Sequence, residues 1–257
     1  MGICEIKHIR VGKNKKKAIH ENTKRNRAYK YLSRSTRSAL LRQCKNKQEK
    51  LTLLFGWLTG LRRMELAKLF LNDYSYGGNV YPGFLTLFDE LESTDKTSFE
   101  YYITKSKGGK SRYIYIDRKL LKTCKSYFDS ERNHSKSAET LLVTNDNATN
   151  GSAIQTSFAN GVFSRVRNRL IKLNPEYSFL YISEQNKVVF HHCRHTFATD
   201  TFYKLLKGRD HHSVNSGDAV IIEVARLLGH STTPENMKKV TSLYIRFVDD
   251  MLRMEAK

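Results

Sequence analysis

The sequence lacks the cysteine pattern of a disulfide-stabilised or zinc-binding protein. Its 257 residues include four scattered cysteines, and no C-x-x-C pair is present. This spacing argues against a disulfide framework and against a zinc ribbon. We therefore expect a protein of a reducing compartment.

Long apolar segments are also missing. The longest one, residues 51–61, is interrupted by threonine and glycine, and it is well short of the roughly 20 residues that span a bilayer. Residues 1–17 are rich in lysine and contain no apolar core of a signal peptide. We expect a cytoplasmic protein with no membrane partner.

Acidic residues are too few to balance the basic ones. Lysine and arginine total 45 against 25 aspartates and glutamates, which leaves a net charge of +20. Such an excess is typical of proteins that bind DNA or RNA. At 39% hydrophobic and 11% aromatic residues, the chain has too much core-forming material for a disordered basic tail. A basic membrane-surface protein is the alternative, but the basic segment shows no helix with cations on one face and bulky apolar residues on the other.

Basic residues are concentrated at the N-terminus. Residues 1–31 contain ten lysines and arginines, among them Lys15, Lys16 and Lys17, against two glutamates. We predict that this segment is an arm that follows a phosphate backbone, with a solvated linker as the equal alternative.

Hydrophobic spacing predicts helices in the first part of the folded chain. A helical pattern begins at Ser35, and residues 51–58 are apolar enough for a buried helix that ends at Gly60. A second helix is predicted from residue 62 or 63 to residue 70.

The middle of the chain is predicted to contain a small sheet. Residues 71–97 indicate a loop with one short strand near residues 84–88. Two β-favouring runs, residues 99–104 and 112–116, flank a Lys-Gly-Gly-Lys turn and predict a hairpin. The spacing after Asp117, a candidate N-cap, is helical. We therefore predict a mostly α fold with a small antiparallel β-sheet (α+β).

Three short segments place a cation or an imidazole at a helix edge or a turn. They are residues 59–66 (TGLRRMEL), 191–199 (HHCRHTFAT) and 227–231 (LLGHS). His191 and His195 have the i, i+4 spacing of a zinc helix, but the glutamate of that motif is missing and an arginine would lie beside the cation. We therefore expect no metal.

These segments resemble the catalytic boxes of the tyrosine recombinase (phage integrase) family. The family's T-G-L-R-x-x-E-L box matches residues 59–66, its H-x-x-R-H-[ST]-F-A box matches residues 191–198, and its L-L-G-H box matches residues 227–230. Ordered matches are more specific than any single motif. The resemblance covers about residues 33–257, and it implies that residues 32–257 are a catalytic domain of this fold.

The resemblance also implies a set of catalytic residues. Tyr244, the tyrosine downstream of the third box, would be the nucleophile. The family's lysine lies on a β-hairpin, where Lys107 is the best match for a general acid and Lys105 and Lys110 are competitors. The full set is Arg62, Lys107, His191, Arg194, His230 and Tyr244.

The chemistry of these residue types agrees with the assignment. Phosphodiester cleavage passes through a pentacoordinate state with extra negative charge, which fixed guanidinium donors stabilise. Arg62 and Arg194 are therefore the expected phosphate clamp, and His230 would donate from the other side. A phenol is a poor nucleophile at neutral pH, so His191 is the candidate base. Glu65 would hold an arginine or His191 by a charged hydrogen bond, or form a surface pair.

We expect a site-specific DNA recombinase that works through a 3′-phosphotyrosyl intermediate, without a metal or a nucleotide cofactor. As the resemblance implies, it would be a monomer when free and a homo-tetramer on two double-stranded DNA sites. Residues 245–257 would reach a neighbouring protomer through an apolar face that includes Phe247, Met251 and Leu252, or pack on their own domain. The predicted DNA contacts outside the catalytic set are Lys15, Lys16, Lys17, Lys105, Lys110 and Arg112.

Two other functions fit the same residues. One is a type IB topoisomerase, which uses similar active-site residues, and the other is a basic DNA-binding protein that has lost catalysis. The chain departs from the family pattern because only the basic arm stands where members normally carry a helical core-binding domain, and because the intervals before His230 and Tyr244 are long. We expect a shortened or minimal member from a bacterium, an archaeon or a virus, associated with the nucleoid.

Overall fold

The computed structural model describes residues 31–104, 110–134, 138–144 and 151–255. Five lysines with predicted roles lie outside these ranges: Lys15, Lys16, Lys17, Lys105 and Lys107.

The described residues contain nine α-helices, two 3-10 helices and three two-stranded antiparallel sheets. This architecture confirms the predicted fold class. The helices are α1 (Arg34–Arg42), α2 (Lys47–Thr59), α3 (Arg63–Leu66), α4 (Phe84–Ser93), α5 (Arg118–Ser130), α6 (Phe158–Leu173), α7 (His191–Leu206), α8 (Ala219–Leu228) and α9 (Pro234–Glu255), with 3-10 helices at Pro175–Leu180 and His211–Ser213. The strands are β1 (Tyr74–Tyr76), β2 (Asn79–Tyr81), β3 (Ser98–Ile103), β4 (Arg112–Asp117), β5 (Tyr181–Ser183) and β6 (Asn186–Lys187).

Local sequence signals set the ends of several elements as predicted. The Asp117 carboxylate accepts the N–H of Leu120 at 2.8 Å and begins α5. Glycines in the left-handed region end two helices, Gly60 after α2 with a φ of 66° and Gly229 after α8 with a φ of 61°. Strands β3 and β4 pair over six residues each, which confirms the predicted hairpin.

The prediction for residues 71–97 is wrong. This stretch contains the hairpin of β1 and β2, and residues 84–88 belong to helix α4 rather than to a strand. Phe84, Leu87 and Leu91 are all buried on one side of this helix. Their i, i+3, i+7 spacing outweighs the β preference of the phenylalanines.

The helix predicted up to residue 70 ends early, at Leu66. The following residues pair with a distant segment instead of continuing the helix. Leu71 donates its N–H to the carbonyl of Glu139, and the carbonyl of Leu69 accepts the N–H of Leu141, both at 2.7 Å. These non-local bonds replace the last helical turn.

Buried side chains form two hydrophobic clusters. The main core joins side chains of α1, α2, α4, β3, β4, α5 and α6, and the C-terminal core joins those of α7, α8 and α9. Helix α7 contributes Cys193 to the main core and Phe202 to the C-terminal core. The residues between these two on α7, including Arg194, therefore lie where the cores meet.

Tyr31, the last residue of the predicted basic arm, is buried. Its side chain is 2% exposed in the C-terminal core, and its hydroxyl donates to the Asp200 carboxylate at 2.9 Å. Residue 31 is therefore part of the folded body.

The C-terminal helix α9 packs on its own domain. Phe247 and Met251 are buried in the C-terminal core, whereas Leu252 is 40% exposed. In this single chain, the apolar face predicted to reach a neighbour is thus largely used internally. None of the described helices is both long enough and apolar enough to cross a membrane.

Candidate active site

Four separate chain segments deliver the predicted catalytic residues to one region. Arg62 is the N-cap of α3, Arg194 lies in the first turn of α7, His230 follows α8, and Tyr244 lies within α9. The charges of Arg62, Arg194 and His191 all act on His230, and the charge of Arg194 acts on Tyr244.

Arg194 is the most deeply fixed cation of the site. It is 3% exposed, and its guanidinium donates to the carbonyl of Gly60 at 2.6 Å and to the carbonyl of Leu228. Both carbonyls lie at helix C-termini, which carry partial negative charge. Burial, together with the positive charges of Arg62 and Arg112, lowers the pKa of Arg194 to about 9, so the side chain remains charged at neutral pH.

Glu65 connects two other arginines. It is 1% exposed and accepts two hydrogen bonds from Arg112, at 2.8 and 2.9 Å, and one from Nη1 of Arg62 at 2.9 Å. Burial by itself raises the pKa of Glu65, but the hydrogen bonds and charge of Arg112 outweigh it and hold the pKa at about 2. The sequence predicted that Glu65 holds either an arginine or His191, and the structure shows that it bonds to arginines.

Arg112, which was predicted to contact DNA, is largely buried. The residue is 6% exposed, because its guanidinium is bonded to Glu65 and its Nε donates to the carbonyl of Leu227 at 2.8 Å. It therefore links the hairpin to the first and third boxes. Glu65 and Arg112 are 47 residues apart in the sequence. The sequence therefore indicated this link only through the charged hydrogen bond predicted for Glu65.

Two glycines allow the close approaches on which this arrangement depends. A Cβ atom at Gly60 would lie 2.5 Å from Cδ1 of Phe197, and the positive φ of Gly60 also favours glycine. A Cβ atom at Gly229 would lie 3.0 Å from the carbonyl oxygen of Lys110. The N–H of Lys110 faces the carbonyl of Gly229 at 3.5 Å, so the exposed Lys110 is held next to His230.

The histidines of the site differ in environment. Burial and the positive charges of Arg194, Arg62 and Arg112 lower the pKa of His230 to about 3, so its imidazole is neutral at neutral pH. His191 is exposed at the start of α7, and its ring centroid is 4.7 Å from that of His195.

Tyr244 is buried, with 1% of its surface exposed. Burial raises the pKa of its hydroxyl, although the charge of Arg194 acts in the opposite direction. Among the described residues, the Tyr244 hydroxyl and Nδ1 of His230 are the two buried side-chain polar atoms without a hydrogen-bond partner. Such atoms are uncommon in folded proteins and call for a functional explanation.

Two open pockets border the site. One of about 260 Å³ is lined by Arg62 and His191, among other residues. The other, of about 280 Å³, is lined by Lys110, Arg112 and His230. Arg62 and His191 are therefore reached from one pocket, and Arg112 and His230 from the other.

The sequence matches the phage integrase family over residues 30–215. This chain belongs to the phage integrase family. The matched range contains Arg62, Glu65, His191 and Arg194, and it ends before His230 and Tyr244.

Solved structures show that this integrase-family chain has the fold of known recombinases. It superimposes on the XerA recombinase (TM-score 0.54, 20% identity, 88% of this chain and 61% of that chain). It also superimposes on XerH bound to a palindromic difH substrate in a post-cleavage complex (0.51, 18%, 88% and 52%), and on the Tn1549 transposon integrase in complex with transposon right end DNA (0.52, 18%, 88% and 64%). The chain thus spans between half and two thirds of the length of these relatives. Among curated protein sequences, none matches it.

Proposed function

We propose that this protein is a site-specific recombinase that cleaves and rejoins double-stranded DNA through a 3′-phosphotyrosyl intermediate on Tyr244. The observation that carries the proposal is the convergence of Arg62, Arg194, His230 and Tyr244 from four chain segments on one region. The similarity to recombinases that were solved with DNA supports the substrate class.

The arginines would bind the scissile phosphate. Arg62 has a side chain that is 22% exposed and borders an open pocket, so it can reach a phosphate on the surface. Arg194 is 3% exposed, and two of its donors are held by main-chain carbonyls. These two bonds fix the guanidinium, so its remaining N–H groups would stabilise the extra charge of the pentacoordinate state without reorganising during the reaction.

The tyrosine hydroxyl would carry out the cleavage. The oxygen of Tyr244 forms a bond to phosphorus while the bond from phosphorus to the 5′ oxygen of the DNA breaks. The phenolic proton passes to His191, and the 5′ oxygen takes a proton from Lys107, with Lys105 and Lys110 as the other lysines of the hairpin. Since the phosphoester is kept, the 5′-OH of a partner strand can reverse the step and rejoin the DNA.

The buried tyrosine sets a condition on this reaction. Its hydroxyl is enclosed in the C-terminal core, so a phosphate on the surface cannot reach it in this conformation. The reaction therefore requires that α9 shift when DNA is bound. Recombination between two sites would require four cleavages, and hence a homo-tetramer formed on DNA from free monomers. The basic arm would add phosphate contacts, and a DNA substrate would place the protein at the nucleoid.

A suicide substrate tests the proposal. A library of nicked duplexes with random flanks is incubated with the full chain, and adducts are separated on a denaturing gel. We expect the wild type to give protein-linked 3′ phosphate and Tyr244→Phe to give none, because only the attacking oxygen is removed. Tyr203→Phe is the matched control, since Tyr203 is 47% exposed on α7 and should leave the adduct unchanged.

The other outcomes identify the other functions. An adduct with Tyr244→Phe would place the nucleophile elsewhere. Relaxation of supercoiled plasmid without exchange of strands would indicate a topoisomerase. DNA binding without any adduct from the wild type would indicate a DNA-binding protein without catalysis.

A further inference from the structure

A second cluster of chemically active side chains lies in the connection between α7 and α8. His211 and His212 belong to the 3-10 helix His211–Ser213, and both face Asp249 of α9. Nε2 of His211 is 2.8 Å and Nε2 of His212 is 3.2 Å from Oδ1 of Asp249. The proposed recombinase reaction uses none of these three residues.

The donor set is typical of a transition-metal site. Each residue offers one ligand atom, and these atoms all lie within 4.8 Å of one another. Two imidazole nitrogens with one carboxylate oxygen form a known ligand set for Zn²⁺, with water at the fourth position. Ligand atoms around a tetrahedral Zn²⁺ are about 3.3 Å apart, so the two histidine–aspartate distances need to change by only a few tenths of an ångström.

The surroundings cover His211 and Asp249 more than His212, whose side chain is 59% exposed. His211 has a side chain that is 13% exposed, and that of Asp249 is 30% exposed. The Asp210 carboxylate accepts the N–H of His212 at 3.0 Å and lies 3.7 Å from Nδ1 of His211. A carboxylate behind a ligating histidine is the usual support of a metal site. Arg253, one helical turn after Asp249, is the nearby positive charge that opposes a cation.

We propose that His211, His212 and Asp249 bind one divalent transition-metal ion, for which Zn²⁺ is the probe. The ion would cross-link the α7–α8 connection to α9, the helix that carries Tyr244. The ion would bind the folded chain and not the unfolded chain, so it would stabilise the fold. Its role would therefore be structural. In the competing interpretation, the three side chains form only the ion pairs and the hydrogen bond seen between them.

Isothermal titration calorimetry with ZnCl₂ separates these interpretations. The full chain is stripped with a chelator, dialysed and titrated at neutral pH. We expect one Zn²⁺ site per chain that is lost in a double variant, His212→Gln with Asp249→Asn. Each single variant should weaken Zn²⁺ binding by roughly 100-fold. Removing a residue that only supports a ligand lowers metal affinity by about 10- to 100-fold, and removing a ligand should cost at least the upper value. Zn²⁺ should raise the Tm of the wild type and leave that of the double variant unchanged.

Two control variants test other histidines. His191→Gln removes a histidine of the α7 cluster, and His134→Gln removes one near Phe128; both should keep the Zn²⁺ site. Loss of binding in His191→Gln with retention in the double variant would overturn the proposal, because the ion would then lie at α7. Equal binding by the wild type and the double variant, or no saturable binding by the folded wild type, would overturn it as well. Circular dichroism of the double variant confirms that it is folded.

Discussion

In one half of the candidate active site, Glu65 accepts three guanidinium hydrogen bonds from Arg62 and Arg112. In the other half, the Tyr244 hydroxyl and Nδ1 of His230 have no hydrogen-bond partner within the described residues. We call these the arginine half and the tyrosine half. Glu65 and Tyr244 are each 1% exposed, so the difference between them is in bonding and not in exposure.

The difference fits the work that we propose for each half. A phosphate clamp gains from being fixed before DNA arrives, because no reorganisation is then needed in the transition state. A nucleophile must move and change partners, and strong hydrogen bonds in the resting state would oppose that movement. We infer that the arginine half contributes to the stability of the fold, whereas the tyrosine half lowers it slightly.

The largest loss of stability is expected when the carboxylate that holds the arginine half is removed. Glu65→Gln leaves Arg112 buried without its counter-ion, and breaking a buried pair in this way typically costs about 3 to 5 kcal/mol. Denaturant unfolding of the purified protein measures the loss. The control is Glu223→Gln, whose exposed pair with Arg226 should contribute under about 1 kcal/mol. Similar losses in both variants would mean that the arginine half does not contribute more to stability than a surface pair.

Acid should destabilise the two halves in different pH ranges. The pKa of Glu65 is about 2 in the folded state, below its ordinary 4.5, so its contribution is present above pH 4.5 and is lost as the pH falls towards 2. That contribution amounts to about 3 kcal/mol. The pKa of His230 falls from 6.5 to about 3. The folded state therefore resists protonation of His230, and stability decreases as soon as the pH falls below 6.5.

Variants of the two residues show which residue causes the loss of stability in each pH range. Unfolding free energy is measured from pH 7 to pH 3 for the wild type, His230→Asn and Glu65→Gln. His230→Asn should reduce the loss from pH 6.5 down to about 3, whereas Glu65→Gln should reduce only the loss below 4.5. Identical curves for the three proteins would rule out both groups as the source of the acid sensitivity.

Removing one arginine of the clamp should affect catalysis more than binding. Arg62→Ala is expected to reduce DNA cleavage by at least about 100-fold, the effect of losing one transition-state donor, with DNA affinity nearly unchanged. Single-turnover cleavage and a gel-shift titration measure the two quantities. Arg63→Ala, at the exposed next position, is the control and should leave cleavage intact. Equal losses of binding and cleavage in Arg62→Ala would make Arg62 an ordinary phosphate contact.

The smallest effect on the free energy of unfolding is expected in the tyrosine half. Tyr244→Phe removes a hydroxyl that makes no hydrogen bond, so the free energy of unfolding should stay the same or rise by up to about 1 kcal/mol. Tyr101→Phe is the matched control, because the Tyr101 hydroxyl accepts the N–H of Phe70 at 2.7 Å. That variant should lose about 1 to 3 kcal/mol. Thermal and denaturant unfolding compare the two, and a loss of that size in Tyr244→Phe would mean that its hydroxyl is bonded.

The sequence is sufficient to predict elements that are defined by local chemistry. The Asp117 cap, the glycine stops at Gly60 and Gly229, and the β3–β4 hairpin all depend on a few neighbouring residues. The order of the boxes likewise predicts the family. These features can be predicted from the sequence because the residues that decide them are close together in the chain.

Contacts between distant segments could not be predicted in the same way. Arg112 is a cation next to a Lys-Gly-Gly-Lys turn, and its sequence context is typical of a surface residue. Its burial depends on Glu65 and on the carbonyl of Leu227, which only the tertiary fold brings together. The early end of α3 has the same kind of cause, since the residues after it pair with residues 139–141. Helix α4 is different, because its apolar spacing was present in the sequence, but the prediction gave more weight to the β preference of the phenylalanines.

The acceptors of Arg194 have a consequence for the energetics of the whole protein. Main-chain carbonyls provide dipoles but no full negative charge. The carboxylate of Glu65 accepts hydrogen bonds from Arg62 and Arg112, and it is the one carboxylate among the charges that act on Arg194. Two positive charges are therefore left over, and the folded chain contains an internal electrostatic repulsion. A phosphate diester in the clamp would act as the missing counter-ion. If DNA binds as proposed, it would relieve this repulsion, and the free energies of folding and of DNA binding would be linked.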